Sequence, residues 1–93
     1  MARLDNLDKM VVKRARKILN KRGWHPYKIE GPEGETSMCF ALYLAGLKLG
    51  TSIQQRITLS NKLSDRAEVD IHIWSARRGR TEEDIHSFLR SVL

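Results

Sequence analysis

The chain has 93 residues, 41% of them hydrophobic and 30% charged, with a net charge of +6. That length holds a single domain with one small core, residues 1–93, and the composition lies in the globular range, away from disorder. The lone cysteine, Cys39, excludes an internal disulfide and an all-cysteine zinc site.

The charge is concentrated. Lys9, Lys13, Arg14, Arg16, Lys17, Lys21 and Arg22 fall in one stretch with no acidic residue among them, which leaves the rest of the chain at −1. The same stretch lies in the first predicted helix, residues 4 to 22. There Leu4, Leu7, Val11, Ala15 and Ile18 recur at helical spacing, with Val12 and Leu19 widening the stripe. Asp5, Asn6 or Asp8 can cap its start, and Gly23 is a natural stop. An apolar stripe of this kind packs inward and leaves the cations on the outside.

Trp24 to Glu35 connects. Pro26 keeps His25 from helical angles, Tyr27 to Glu30 reads as a short extended piece, and Gly31-Pro32-Glu33-Gly34 is a turn. Met38 to Leu49 is apolar except for Gly46 and Lys48, so every face of it calls for cover and it belongs at the centre of the core. Thr36 or Ser37 can cap it as a helix and Gly50 can end it; a buried strand is the rival, because short apolar runs are not settled by periodicity. The run is too short for the ~20 residues a membrane helix needs. No N-terminal stretch joins a basic region to an apolar block, so no secretory signal is expected and a reducing, cytoplasmic setting fits.

Between Thr51 and Ser64, Ser52 can cap a helix that carries Ile53, Ile57 and Leu63 inward, yet Arg56 to Ser60 also alternates as a strand does. Arg66 to Trp74 sets Ala67, Val69, Ile71 and Ile73 against Glu68, Asp70, His72 and Trp74, the period of a strand. Arg77, Arg78 and Arg80 form a basic turn. Thr81 then caps a last helix with Asp84 placed for a capping box and Ile85, Phe88, Leu89 and Val92 as its apolar face.

Candidate chemistry is sparse. Asp70 and His72 would share a face on a strand, whereas Asp84 and His86 diverge on a helix, so the repeated Asp-Ile-His triplet does not imply a repeated site. An acid–base or metal site would need Asp70 and His72 beside His25 or Glu30. Cys39, between Met38 and Phe40, lacks a neighbouring base, and the glycines match no phosphate-cradling spacing. No catalytic residue, metal site or cofactor is therefore assigned, and a non-enzymatic protein is expected.

The acid-free cations carry the most physical content, since each Lys or Arg that neutralises a phosphate releases counterions. Lys9, Lys13, Arg14, Arg16, Lys17, Lys21 and Arg22 are the candidate contacts, and Arg77, Arg78 and Arg80 can extend them. The partner is nucleic acid or, alternatively, an acidic protein surface, with Trp24, Tyr27 or Trp74 as aromatic anchors. Gly46 to Ser52 also has the rhythm of a helix-turn-helix, although Arg56 stands where the motif wants an apolar residue. On that reading Gln54, Gln55 and Arg56 would face the bases.

Four pieces of the chain carry a family resemblance: Arg22-Gly23-Trp24; Cys39-Phe40-Ala41-Leu42; Trp74; and Gly79-Arg80-Thr81-Glu82-Glu83-Asp84-Ile85. Together they resemble a family of small bacterial and phage proteins of unknown function. Its members place Gly-Trp after a first helix, then a Cys-containing Gly-Ala-Leu helix, then Trp-Asn-Asp and an Arg-Thr-x-x-Glu/Asp-Val/Ile helix start. This chain departs from the pattern at Ser75-Ala76, where the family has Asn-Asp, and it lacks the glycine before Ala41. The resemblance implies a mostly helical fold, which favours helix for Met38–Leu49 and weakens the strand at Arg66–Trp74. It also implies a phage-like origin and a role on a host macromolecule. The combined expectation is a mainly α domain, α+β being the alternative, that a homodimer could complete by covering the apolar central element.

Overall fold

Asp5 starts the first helix by accepting the Asp8 N–H at 2.8 Å while the Asp8 carboxylate accepts the Asp5 N–H at 3.1 Å, so two orphan donors are satisfied at once. In the computed structural model, which describes residues 3–26 and 30–93, this helix, α1, runs Asn6–Arg22. It buries Val11, Val12, Ala15 and Leu19. Gly23 stops it with φ 84°, a value that side chains resist. The chain then makes one parallel bridge, Trp24 to Thr36, and Gly34 closes the predicted turn by donating to the Gly31 carbonyl at 3.1 Å. The extended piece expected around Tyr27 to Glu30 lies mostly outside the described residues.

α2 (Met38–Lys48) is a helix, capped by Ser37, whose hydroxyl accepts the Phe40 N–H at 3.1 Å, and followed by Gly50 at φ 74°. It buries Met38, Ala41, Ala45 and Gly46, and its principal neighbour is α1. Its other side is not covered: Tyr43 and Leu47 stay 45% and 47% exposed. Among the described residues the four other helices are too few to surround a helix that is apolar on nearly every face.

Ser52 settles the ambiguity that follows. Its hydroxyl accepts the Gln55 N–H at 3.1 Å and the Gln55 side chain accepts the Ser52 N–H at 2.8 Å, a capping box that commits the segment to α3 (Ile53–Ala67). The helix turns Leu59 and Leu63 inward and leaves Ile53 and Ile57 69% and 49% exposed, so the expectation of those isoleucines in the core is corrected.

The strand expected over Arg66–Trp74 is also overturned. Residues 66 and 67 finish α3, Glu68 adopts the left-handed conformation at φ 61°, and Asp70 starts a new helix, α4 (Ile71–Ser75). The Asp70 carboxylate accepts the His72 N–H at 2.9 Å, and the Ser64 hydroxyl accepts the Ile71 N–H at 2.9 Å. Of the alternating apolar residues, Ile71 is buried and Ile73 is exposed, and among the described residues there is no strand for the segment to pair with. An unpaired strand would leave its backbone groups without partners; capped helical turns satisfy them locally.

α5 (Glu82–Ser91) begins at the expected Thr81/Asp84 capping box and buries Ile85 and Leu89, with Val92 just beyond its end. The result is a mainly α single globule whose core joins α1, α2, α3, α4 and α5. No helix is long and apolar enough to cross a membrane among the described residues.

Candidate functional site

The helical period sorts the cations of α1 into distinct places. Arg14, Lys17 and Lys21 stand at i, i+3 and i+7, on the side of the helix toward α2. There they meet Lys48 at the end of α2 across a shallow groove of about 410 Å³, floored by Ile18 and Leu44. Four cations and no carboxylate line it. Lys9 and exposed Lys13, eight and four residues before Lys17, continue the charge along the same ridge, while Arg16 falls on the other flank. Among the described residues none of these seven side chains makes an ion pair.

That isolation has an energetic signature. Lys9/Lys13, Lys13/Lys17 and Lys17/Lys21 are like-charge pairs at i, i+4, each destabilising a helix by roughly 0.2–0.5 kcal/mol. α1 thus carries a repulsion of about 1 kcal/mol, and a glutamate at position 17 would remove two of the three pairs.

The remaining predicted contacts separate from this groove. Arg22 is committed to the fold: its Nε donates to the Gly34 carbonyl at 2.8 Å and its guanidinium lies 3.7 Å from Glu30. Arg80 is similarly engaged, donating to the Trp74 carbonyl at 3.0 Å and stacking on the Trp74 ring at 4.0 Å. Arg77 and Arg78 are exposed in the α4–α5 loop and do not line the groove. Lys48 is the groove residue that sequence reasoning passed over, noted only as an interruption of an apolar run; as the one charge in α2 it was nevertheless the signal to follow.

The aromatic anchors are largely used up. Trp74 packs on Phe88 with ring centres 4.4 Å apart, and Trp24 is half-buried against the core with its backbone N–H donating to Glu82. Tyr27 lies outside the described residues. Among the described residues the exposed aromatic is Tyr43 of α2, stacked with Phe40 and covered on one side by Arg56.

The side chains that would face the bases in the helix-turn-helix reading are engaged locally. Gln55 is spent in the capping box, Gln54 donates to Thr58 at 3.4 Å, and Arg56 donates to the Thr51 carbonyl at 2.6 Å. Lys62, the other cation midway along α3, is held by Asp8 at 2.7 Å, which raises its pKa above the ordinary lysine value through that hydrogen bond. Only Arg66 remains, half-buried. Local hydrogen bonds at the start of α3 therefore compete with base reading by Gln54, Gln55 and Arg56.

Asp70 and His72 are exposed and linked only through the cap, Asp70 accepting the His72 backbone N–H. Among the described residues no three His, Cys, Asp or Glu side chains gather as a metal site requires. Burial pushes the Cys39 thiol up, against a smaller opposing effect of Ser75, whose hydroxyl lies 3.7 Å from the sulfur, so the reactive thiolate is disfavoured. His86, which the helical pattern did not mark as a core residue, is buried with both ring nitrogens unpartnered.

Fold and groove together define a small, basic, mainly α protein with a carboxylate-free cationic groove between its first two helices. Compared with known proteins, the chain matches no family model, no curated protein and no solved structure.

Proposed function

We propose that this protein is a non-enzymatic binder of nucleic acid, gripping the phosphate backbone in the α1–α2 groove with little regard to sequence. The observation that carries the reading is the groove itself: Arg14, Lys17, Lys21 and Lys48 converge on one concavity without an acidic neighbour. Cations that only solubilise a helix gain from interleaved acids; these keep their mutual repulsion, which a polyanion would relieve. Side chains that neutralise phosphates fix a protein on its ligand but carry no base information.

Lys17→Glu separates this reading from a plain solvated face. The substitution places an acid four residues from both Lys13 and Lys21, so the folded protein should hold its stability or gain up to about 1 kcal/mol. Anisotropy titrations with labelled duplex and single-stranded DNA and RNA at low salt should show binding by the parent chain and a loss of roughly tenfold or more in the variant. Undiminished binding by that folded variant would refute the groove as the contact.

An acidic protein surface is the second reading, favoured by one observation. Tyr43, Leu44, Leu47 and Lys48 share the outer face of α2, and a half-exposed aromatic and leucine beside a lysine suit a protein interface. Binding to none of the nucleic-acid probes at low salt would leave this one standing.

A further inference from the structure

A second concavity opens on the other side of α2, between α1, α3 and α4. It is an open cleft of about 420 Å³, within the range of small-molecule sites. Its floor is core: Val11, Leu63 and Ile71 line it although each is almost fully buried. Leu42 and Ile57 form walls, so an apolar body that entered would touch aliphatic carbon on most sides. An open cleft lined mainly by apolar side chains is the usual form of a small-molecule site.

The polar groups at the rim give the ligand its sign. The one carboxylate in the lining, Asp8, is already occupied, its Oδ2 accepting from Lys62 at 2.7 Å and from the Asp5 N–H at 3.1 Å. Arg56 is the reverse case. One guanidinium nitrogen donates to the Thr51 carbonyl, and the group lies 5.3 Å from the Tyr43 ring centre, so its position is fixed. Its remaining N–H groups have no carboxylate among the described residues, although the side chain is half-buried. A pre-placed guanidinium fork beside an apolar pocket matches a carboxylate carried on a hydrocarbon body.

We propose that this cleft binds a small amphiphilic carboxylic acid, its chain against Val11, Leu63 and Ile71 and its carboxylate on Arg56. The site is separate from the cationic groove and does not depend on nucleic-acid binding.

Decanoate and its uncharged counterpart decanol, each below its self-association limit, provide the test. They are titrated into nitrogen-15-labelled full-length protein while the backbone amides are followed by NMR. Decanoate should produce saturable shifts at Thr51, Arg56, Ile57 and Ile71, and decanol should bind roughly tenfold more weakly because it cannot form the charge-assisted pair. Arg56→Gln should reduce the decanoate affinity to about that of decanol. Because Arg56 also braces Thr51, Ile57→Glu gives an independent check at an exposed position: a like charge at the mouth should abolish the shifts in a folded protein. Equal affinity for the two probes would overturn the proposal, as would shifts confined to the α1–α2 groove or no saturable shifts at all. Cleft shifts from an acidic amphipathic peptide, with none from decanoate, would assign the cleft to a protein partner and also overturn it.

Discussion

Gly46 is a helix-interior glycine whose replacement by alanine should destabilise the protein, against the ordinary trend. In α2 the change gains roughly 1 kcal/mol of helix propensity. The methyl group, however, would sit 2.8 Å from Thr51 Oγ1 and 2.9 Å from Arg56 Cδ. Neither neighbour is free to retreat. The Thr51 hydroxyl donates to the Gly46 carbonyl at 2.8 Å, and Arg56 donates to the Thr51 carbonyl at 2.6 Å. Accommodating the methyl group breaks one or both bonds, at about 1 kcal/mol for the neutral one and about 1.5–3 kcal/mol for the charged one. With both bonds broken the balance is a net loss of about 1.5–3 kcal/mol, which for a domain of this size lowers the thermal midpoint by roughly 4–8 °C per kcal/mol. Urea denaturation of Gly46→Ala, Thr51→Ala and the double variant measures it. A positive coupling between the two sites should appear, because Thr51→Ala removes the closest obstacle. Gly46→Ala as stable as the parent would show that the α2–α3 turn yields easily, and would remove the reason for treating Arg56 as a fixed group.

If the four groove cations each displace one counterion from duplex DNA, log affinity should fall against log salt with a slope near −3.6, roughly 150-fold between 50 and 200 mM. Lys48→Gln should lower that slope by about 0.9, and an unchanged slope would place Lys48 outside the contact. His86→Leu should stabilise the fold by about 1 kcal/mol in thermal melts, because it removes two buried nitrogens without partners; a loss of stability would mean that the imidazole is hydrogen-bonded in solution. The caps predict the acid limb of stability. Hydrogen bonds from the Asp8 backbone to Asp5 and from Thr81 to Asp84 hold both carboxyls below their ordinary value of 3.8. The unfolded chain therefore takes up protons first: the contribution is complete well above that value and is lost as pH falls through the lowered folded values. Asp5→Asn with Asp84→Asn should flatten this limb in denaturation midpoints measured from pH 6 down to about pH 2.

Local chemistry in the chain determined the helices at either end. Thr81 with Asp84 is a pair three residues apart, Asp5 stood among the three candidate caps of the first helix, and α1 and α5 carry regular apolar stripes, so neither needed a distant partner to be recognised. The segregation of charge was equally legible, being a matter of which residues are absent between Lys9 and Arg22. The strand-like alternation from Arg66 to Trp74 misled because period two earns stability only from a neighbouring strand, and this fold offers none among its described residues; Ser64 and Asp70 instead satisfy the amides of a short helix. Ile53 and Ile57 misled for a related reason: hydrophobicity states which residues gain from burial, whereas the number of surrounding elements decides which obtain it. The grouping of Lys48 with Arg14, Lys17 and Lys21, and the separation of Arg22, Arg77, Arg78 and Arg80 from them, was decided by how α2 lies on α1. Charges distant in sequence become one site only when packing brings their helices together, and that geometry belongs to the tertiary structure alone.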